Sequence, residues 1–213
     1  KDIENSATLN FHGTSSVDTI EGTGTLNVND TTNGQLTIKE SAEQATINVA
    51  ENNILVNEGD VEVDALNNAG TVTNNDTLTV ATLDNDGTLT NAGDLTATTL
   101  DNDGTVTNND TLTVATLDNA TNAIINNNAD MSVADLTNAG KINNEGSLAV
   151  TDGTNSGIID GTGDIEISGD LTNTTTGYIY GNDLTVATNG SLINNKIISV
   201  DNIINQGEIT NNS

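Results

Sequence analysis

The chain has 213 residues, with four Lys and Arg against 31 Asp and Glu, a formal charge of −27 and a pI near 4.1. It has no Cys, Pro or Trp, one Phe and two Tyr, and Asn and Thr supply 36 residues each. Without Arg there is too little positive charge to hold phosphates, which excludes nucleic acid as a partner. Without Cys there is no disulfide, thiolate zinc site or thiol nucleophile. An anionic membrane surface repels such a chain, and no apolar run approaches the ~20 residues of a membrane helix, so direct membrane insertion is not expected. No signal peptide is visible.

High charge with few aromatics is a mark of disorder, but disordered chains are rich in Pro, Glu, Lys and Ser. This one is rich in Thr, Val and Ile, which form strands, and in Asn, Asp and Gly, which form turns. Residues 1–50 hold short period-two stretches, Leu26-x-Val28, Leu36-x-Ile38 and Ile47-x-Val49, split by charged segments such as 39–44. Period two means strand. This region is expected to be an irregular N-terminal β cap, which a solenoid needs because its end coil exposes unpaired strand edges. Phe11 is expected to plug that end. His12, the only His, has no nucleophile or ligand cluster in its sequence neighbourhood.

From residue 51 to 213 the chain repeats. Gly70–Asn85 reads GTVTNNDTLTVATLDN, and Gly104–Asn119 is the same residue for residue. A related copy lies between them, so the offset of 34 is two units of 17. The consensus is L-x-N-x-G-x-V-x-N-x-x-x-L-x-V-x-x. Leu66, Leu83, Leu100, Leu117 and Leu136 each open a unit, and the unit from Leu117 carries two extra residues near Thr121-Asn122. Each unit therefore holds two or three very short strands separated by tight corners. One unit cannot bury its apolar side alone, whereas stacked units can. The expected fold is all-β: a parallel β-helix of ~17-residue coils, each strand pairing with its equivalents ~4.8 Å above and below.

The expected core is Leu66, Val72, Leu78 and Val80 in one coil, with Leu83, Leu89, Leu95 and Ala97, then Leu100, Val106, Leu112 and Val114, in the next two. Met131 replaces a core Leu. Asn68, Asn85, Asn102, Asn119, Asn138, Asn173 and Asn205 are read as one axial ladder, and Asn74, Asn91, Asn108 and Asn127 as a second. Tyr178 and Tyr180 flank an inward Ile179 and should point outward side by side. The pattern runs to Ile209 and Asn211, so the C-terminal end is read as uncapped. More chain would cover it, or Ile203, Ile209 and Asn211 would form a polymerisation contact.

Leu66-Asn68-Gly70-Val72, Leu136-Asn138-Gly140-Ile142 and Ile203-Asn205-Gly207-Ile209 resemble the repeats of filamentous haemagglutinin-like proteins, the large secreted adhesins of two-partner and autotransporter type. The resemblance covers roughly residues 53–213. It implies a right-handed parallel β-helix in an extracellular or cell-surface fibre or adhesin stalk, with a host or cell-surface receptor or glycan as partner.

No nucleophile–base pair, phosphate-binding loop or His and Cys cluster appears, so no enzyme and no cofactor are expected. Calcium is the one candidate ion. Asp84, Asp101 and Asp118 occupy one coil position and Asp86 and Asp103 another. Stacked ~4.8 Å apart, they would repel unless a hard cation or solvent relieved them. Thr71/Thr73, Thr88/Thr90 and Thr105/Thr107 would form outward rows, which raises ice binding as a further possibility beside calcium and glycan. The expected functions are thus a structural fibre or stalk, a subunit that polymerises head to tail with itself, or a ligand-binding solenoid.

Overall fold

A computed structural model describes residues 2–213. Among them there is no helix, and so none long and apolar enough to cross a membrane. The chain is a parallel β-solenoid of about 12 turns, with all 24 strands in one wound sheet.

One coil shows the design. Thr71–Asn74 is the first side. After a corner at Asn75-Asp76, the strand Thr77–Asn85 supplies the other two. This strand bends in its middle. Val80 pairs with Ala97 and Thr82 with Thr99, leaving Ala81 and Thr98 out of the register. Residues 77–80 are therefore the second side and 82–85 the third. The alternation of buried and exposed residues breaks at the same place, with Ala81 and Thr82 both exposed. Strands pair only with equivalents in adjacent coils, all in parallel, at an offset of 17 in the regular coils.

Period two then decides what fills the lumen. Val72, Leu78, Val80 and Leu83 point inward and are at most 2 % exposed, as are their counterparts Leu89, Leu95, Ala97, Leu100, Val106, Leu112 and Val114. Met131 sits in the core between Leu112 and Leu148. Each buried aliphatic is worth roughly 1.5–3 kcal/mol as an upper estimate.

The remaining inward positions, at the ends of the first and third sides, are Asn. On the first side Asn57 gives its Nδ2 to Asn74 Oδ1 at 2.7 Å, and the chain of bonds continues through Asn91, Asn108, Asn127 and Asn144. On the third side it runs from Asn68 through Asn85, Asn102, Asn119, Asn138, Asn155, Asn173 and Asn194 to Asn211, at 2.7–2.9 Å. Most of these amides also donate to a backbone carbonyl of the next coil, as Asn91 does to Thr111. The carbonyls that open the two columns have no amide before them and accept a corner N–H instead, Asn57 Oδ1 from Gly59 and Asn68 Oδ1 from Gly70. A fully buried amide is tolerable only when satisfied in this way.

Asn205 corrects the expected ladder. It pairs with Val186, on the second side, and is exposed, while Asn211 continues the third-side column. N-x-G follows the third side at Asn85-Asp86-Gly87, the first at Asn91-Ala92-Gly93 and the second at Asn205-Gln206-Gly207, so Ile203-Asn205-Gly207 matches the motif one side out of phase. The coils near it had already drifted, through turns closed by Gly177 to Thr174 and by Gly190 to Ala187.

Residues 2–49 stack in the same parallel way, with offsets up to 22 and a register shift between Val17 and Thr19. Here the two columns that become Asn further on are apolar. Phe11, Val28 and Val49 precede Asn68, and Val17 and Ile38 precede Asn57. Asn5 and Gln44, both buried, bond each other at 2.6 Å.

Extra residues leave at the corners. Asn53 N–H closes a turn onto Ala50 O, and Ala123 onto Ala120, both at 3.0 Å. Asn52 and Asn122 take φ of 64° and 75°, which Asn adopts more readily than most residues. At the tight version of this corner backbones nearly touch. A Cβ on Gly104 would lie 2.1 Å from Gly87 O, and one on Gly87 as close to Gly70 O.

Two measurements check this scheme. Asn102→Ala strands the Asn85 amide and the Asn119 carbonyl and should lower unfolding free energy by about 2–3 kcal/mol in urea titrations; an unchanged midpoint would remove the ladder from the stability argument. Gly104→Ala should cost about 1–3 kcal/mol through overpacking, whereas Gly181→Ala, whose Cβ meets nothing nearer than 3.3 Å, should cost under about 1 kcal/mol.

Candidate functional site

The surface is sorted by side. Outward residues of the second side include Glu43, Asp60, Glu62, Asp94, Asp130, Asp164 and Glu166, and those of the third include Asp84, Asp101, Asp118, Asp135, Asp152, Asp170 and Glu208. The first side differs. Its outward ranks run Thr14/Ser16, Gln35/Thr37, Ile54/Val56, Thr71/Thr73, Thr88/Thr90, Thr105/Thr107, Ile124/Asn126, Lys141/Asn143, Ile158/Asp160, Tyr178/Tyr180 and Ile197/Ser199. Only Lys141 and Asp160 are charged, and they pair with each other at 3.3 Å. The first side therefore has no net charge in a chain of −27.

The predicted Thr rows stand on this side as expected. The later ranks, which end the Thr array, replace it with Ile124, Ile158 and Ile197, exposed by 36 %, 37 % and 40 %. Tyr178 and Tyr180 do point outward together, their ring centroids 6.2 Å apart and their planes 11° from parallel. Lys196 Nζ lies 5.9 Å from the Tyr178 centroid, within cation–π range.

The acidic column is in place. Asp84, Asp101 and Asp118 are register partners on the third side, with Asp86 and Asp103 at the following corner. Partial burial pushes Asp84 and Asp101 above the ordinary carboxylate value, and the neighbouring Asp carboxylates push the same way. Among the described residues no group of three or more His, Cys, Asp or Glu is arranged to hold a metal ion. The column also extends an outward amide ladder. Asn27 donates to Asn10, Asn48 to Asn27 and Asn67 to Asn48 at 2.7–2.8 Å, and Asn67 then faces Asp84.

The C-terminal contact residues fall on one coil but on two sides. Ile203 is 55 % exposed on the second side, beside Ile204 at 44 %. Ile209 is partly buried against the core, and Asn211 receives the Asn194 amide at 2.7 Å. Leu192, Ile198, Ile203 and Ile209 line a hollow of about 350 Å³ at this end. His12 stands at the other end, where its charge is the least of the influences holding Asp30 below the usual carboxylate range; the largest is the Thr32 N–H.

The neutral side was not read from the sequence as a surface. Its ranks were visible in part, but its neutrality shows only once the coil is divided into three sides and the corner acids are set apart.

A carboxyl with a raised folded pKa binds its proton more tightly folded than unfolded, so ionising it costs the folded state. The contribution of Asp84 and Asp101 should thus rise as pH falls through their folded values and be lost on return to neutral pH. Asp101→Asn should raise stability at pH 7 by about 0.2–1 kcal/mol, the scale of a like-charge cross-strand pair, and flatten the acid-side pH dependence. Melts with EDTA and with calcium test this. If the wild type gains with calcium and the variant does not, the column is a calcium site.

No protein-family model, curated protein or solved structure matches the chain.

Proposed function

We propose that the chain is a non-enzymatic structural rod, a segment of an extracellular fibre or adhesin stalk whose work is to hold distance. The observation that supports this is the third-side amide column, which passes without a gap from Asn68 to Asn211. With the backbone ladders it directs hydrogen bonding along the axis, so that bending or stretching the rod strains many bonds together. The acidic second and third sides keep neighbouring rods soluble. A surface location fits a Cys-free chain, which oxidation cannot cross-link.

A second reading is head-to-tail polymerisation, favoured by the exposed Ile203 and Ile204. Against it, Asn211 would meet Phe11 in the first coil, where the column needs an amide.

Electron microscopy and small-angle scattering separate these readings. At ~4.8 Å per coil, about 12 turns give rods about 60 Å long. Isolated rods of that length support the spacer, continuous filaments support polymerisation, and compact particles would sink both.

A further inference from the structure

We infer that the uncharged first side is a lateral docking surface for a second copy of this chain. Two bodies of −27 repel, and the second and third sides would bring acid columns face to face. The first side alone has its charges already cancelled, through Lys141 and Asp160 at 3.3 Å. It is also where apolar surface gathers. Among the described residues Ile124, Ile158 and Ile197 are three of the six exposed large hydrophobics, and both tyrosines stand in the rank between Ile158 and Ile197. Aromatic and aliphatic groups with few charges are the composition of an interface centre.

Size sets the strength. Ranks ~4.8 Å apart and a side four residues wide give a strip ~50 Å by ~13 Å. That is about 650 Å² per copy, against ~800 Å² per partner in a stable complex. The pairing is therefore weak and concentration-dependent. The rim is acidic, with Asp76, Asp86, Asp103 and Asp110 at the flanking corners. Rim repulsion is screened by salt while apolar contact is not, so salt should strengthen the association. A pairing held by Lys–Asp bridges would respond oppositely.

Sedimentation velocity on residues 1–213 from ~5 to ~500 µM tests this, at low salt and at ~0.5 M, where screening acts within ~4 Å. The mass should rise from 21.9 kDa towards twice that value, further at high salt. Ile158→Glu, Tyr178→Glu and Thr88→Glu, at separate outward ranks, should each raise the dissociation constant at least ~10-fold, with circular dichroism unchanged. Thr113→Glu, outward on the second side, should leave it unaltered. A chain that stays monomeric throughout overturns the proposal and leaves the face to a different uncharged partner. Association abolished by Ile203→Glu but indifferent to the first-side variants also overturns it, by placing the contact at the end of the rod.

Discussion

The buried asparagine amide is the constraint on which the rest of this structure depends. Placing a polar group in a dry lumen costs several kcal/mol unless every donor and acceptor is met. Here the amides within each column are met by the same amide one coil on, and most also by a backbone carbonyl of that coil. That solution works only if successive coils superpose. The Asn columns thus do what the aliphatic stack cannot. Leu and Val would pack with a small slip, whereas an amide pair at 2.7 Å would not survive one. Hydrophobic burial drives the coil closed, and the amides fix its phase.

From that phase follow the corners and the surface. Side chains that superpose inward also superpose outward, so any outward residue type becomes a column. Asn columns become ladders, as from Asn10 to Asn67, and Asp columns become lines of mutual repulsion, as from Asp84 to Asp118. The backbone approach at Gly87 and Gly104 is the other result, since two corners stacked in phase leave no space for a Cβ.

Much of this could be read from the sequence because a period of 17 converts chain position into spatial position. The identity of residues 70–85 and 104–119 fixed the register of the central coils, and period two named their core correctly down to Met131. The reading failed where the code is degenerate. Asn205 was placed in the amide column because N-x-G spells more than one corner, and only the pairing of Ile203 with Leu184 reveals the side. The bend at Ala81 shows in the sequence only as a spacing of three between Val80 and Leu83, which falls at the boundary between consensus units and does not by itself mark a corner. The neutral first side stayed hidden for a related reason. Its acids are near in sequence, at the corners, and composition averages over sides that the fold keeps apart.

The corner turns at Asn52 and Asn122 carry a consequence for how such a molecule changes over generations. Two added residues leave the rod as a closed turn, and the coils on either side continue to meet as before. A whole added coil is absorbed as easily, because its neighbours present the surface it was built against. Length is then heritable independently of packing. Unequal recombination between near-identical units could lengthen or shorten the rod by ~4.8 Å steps and leave each product foldable, so that selection acts on reach with little cost in stability.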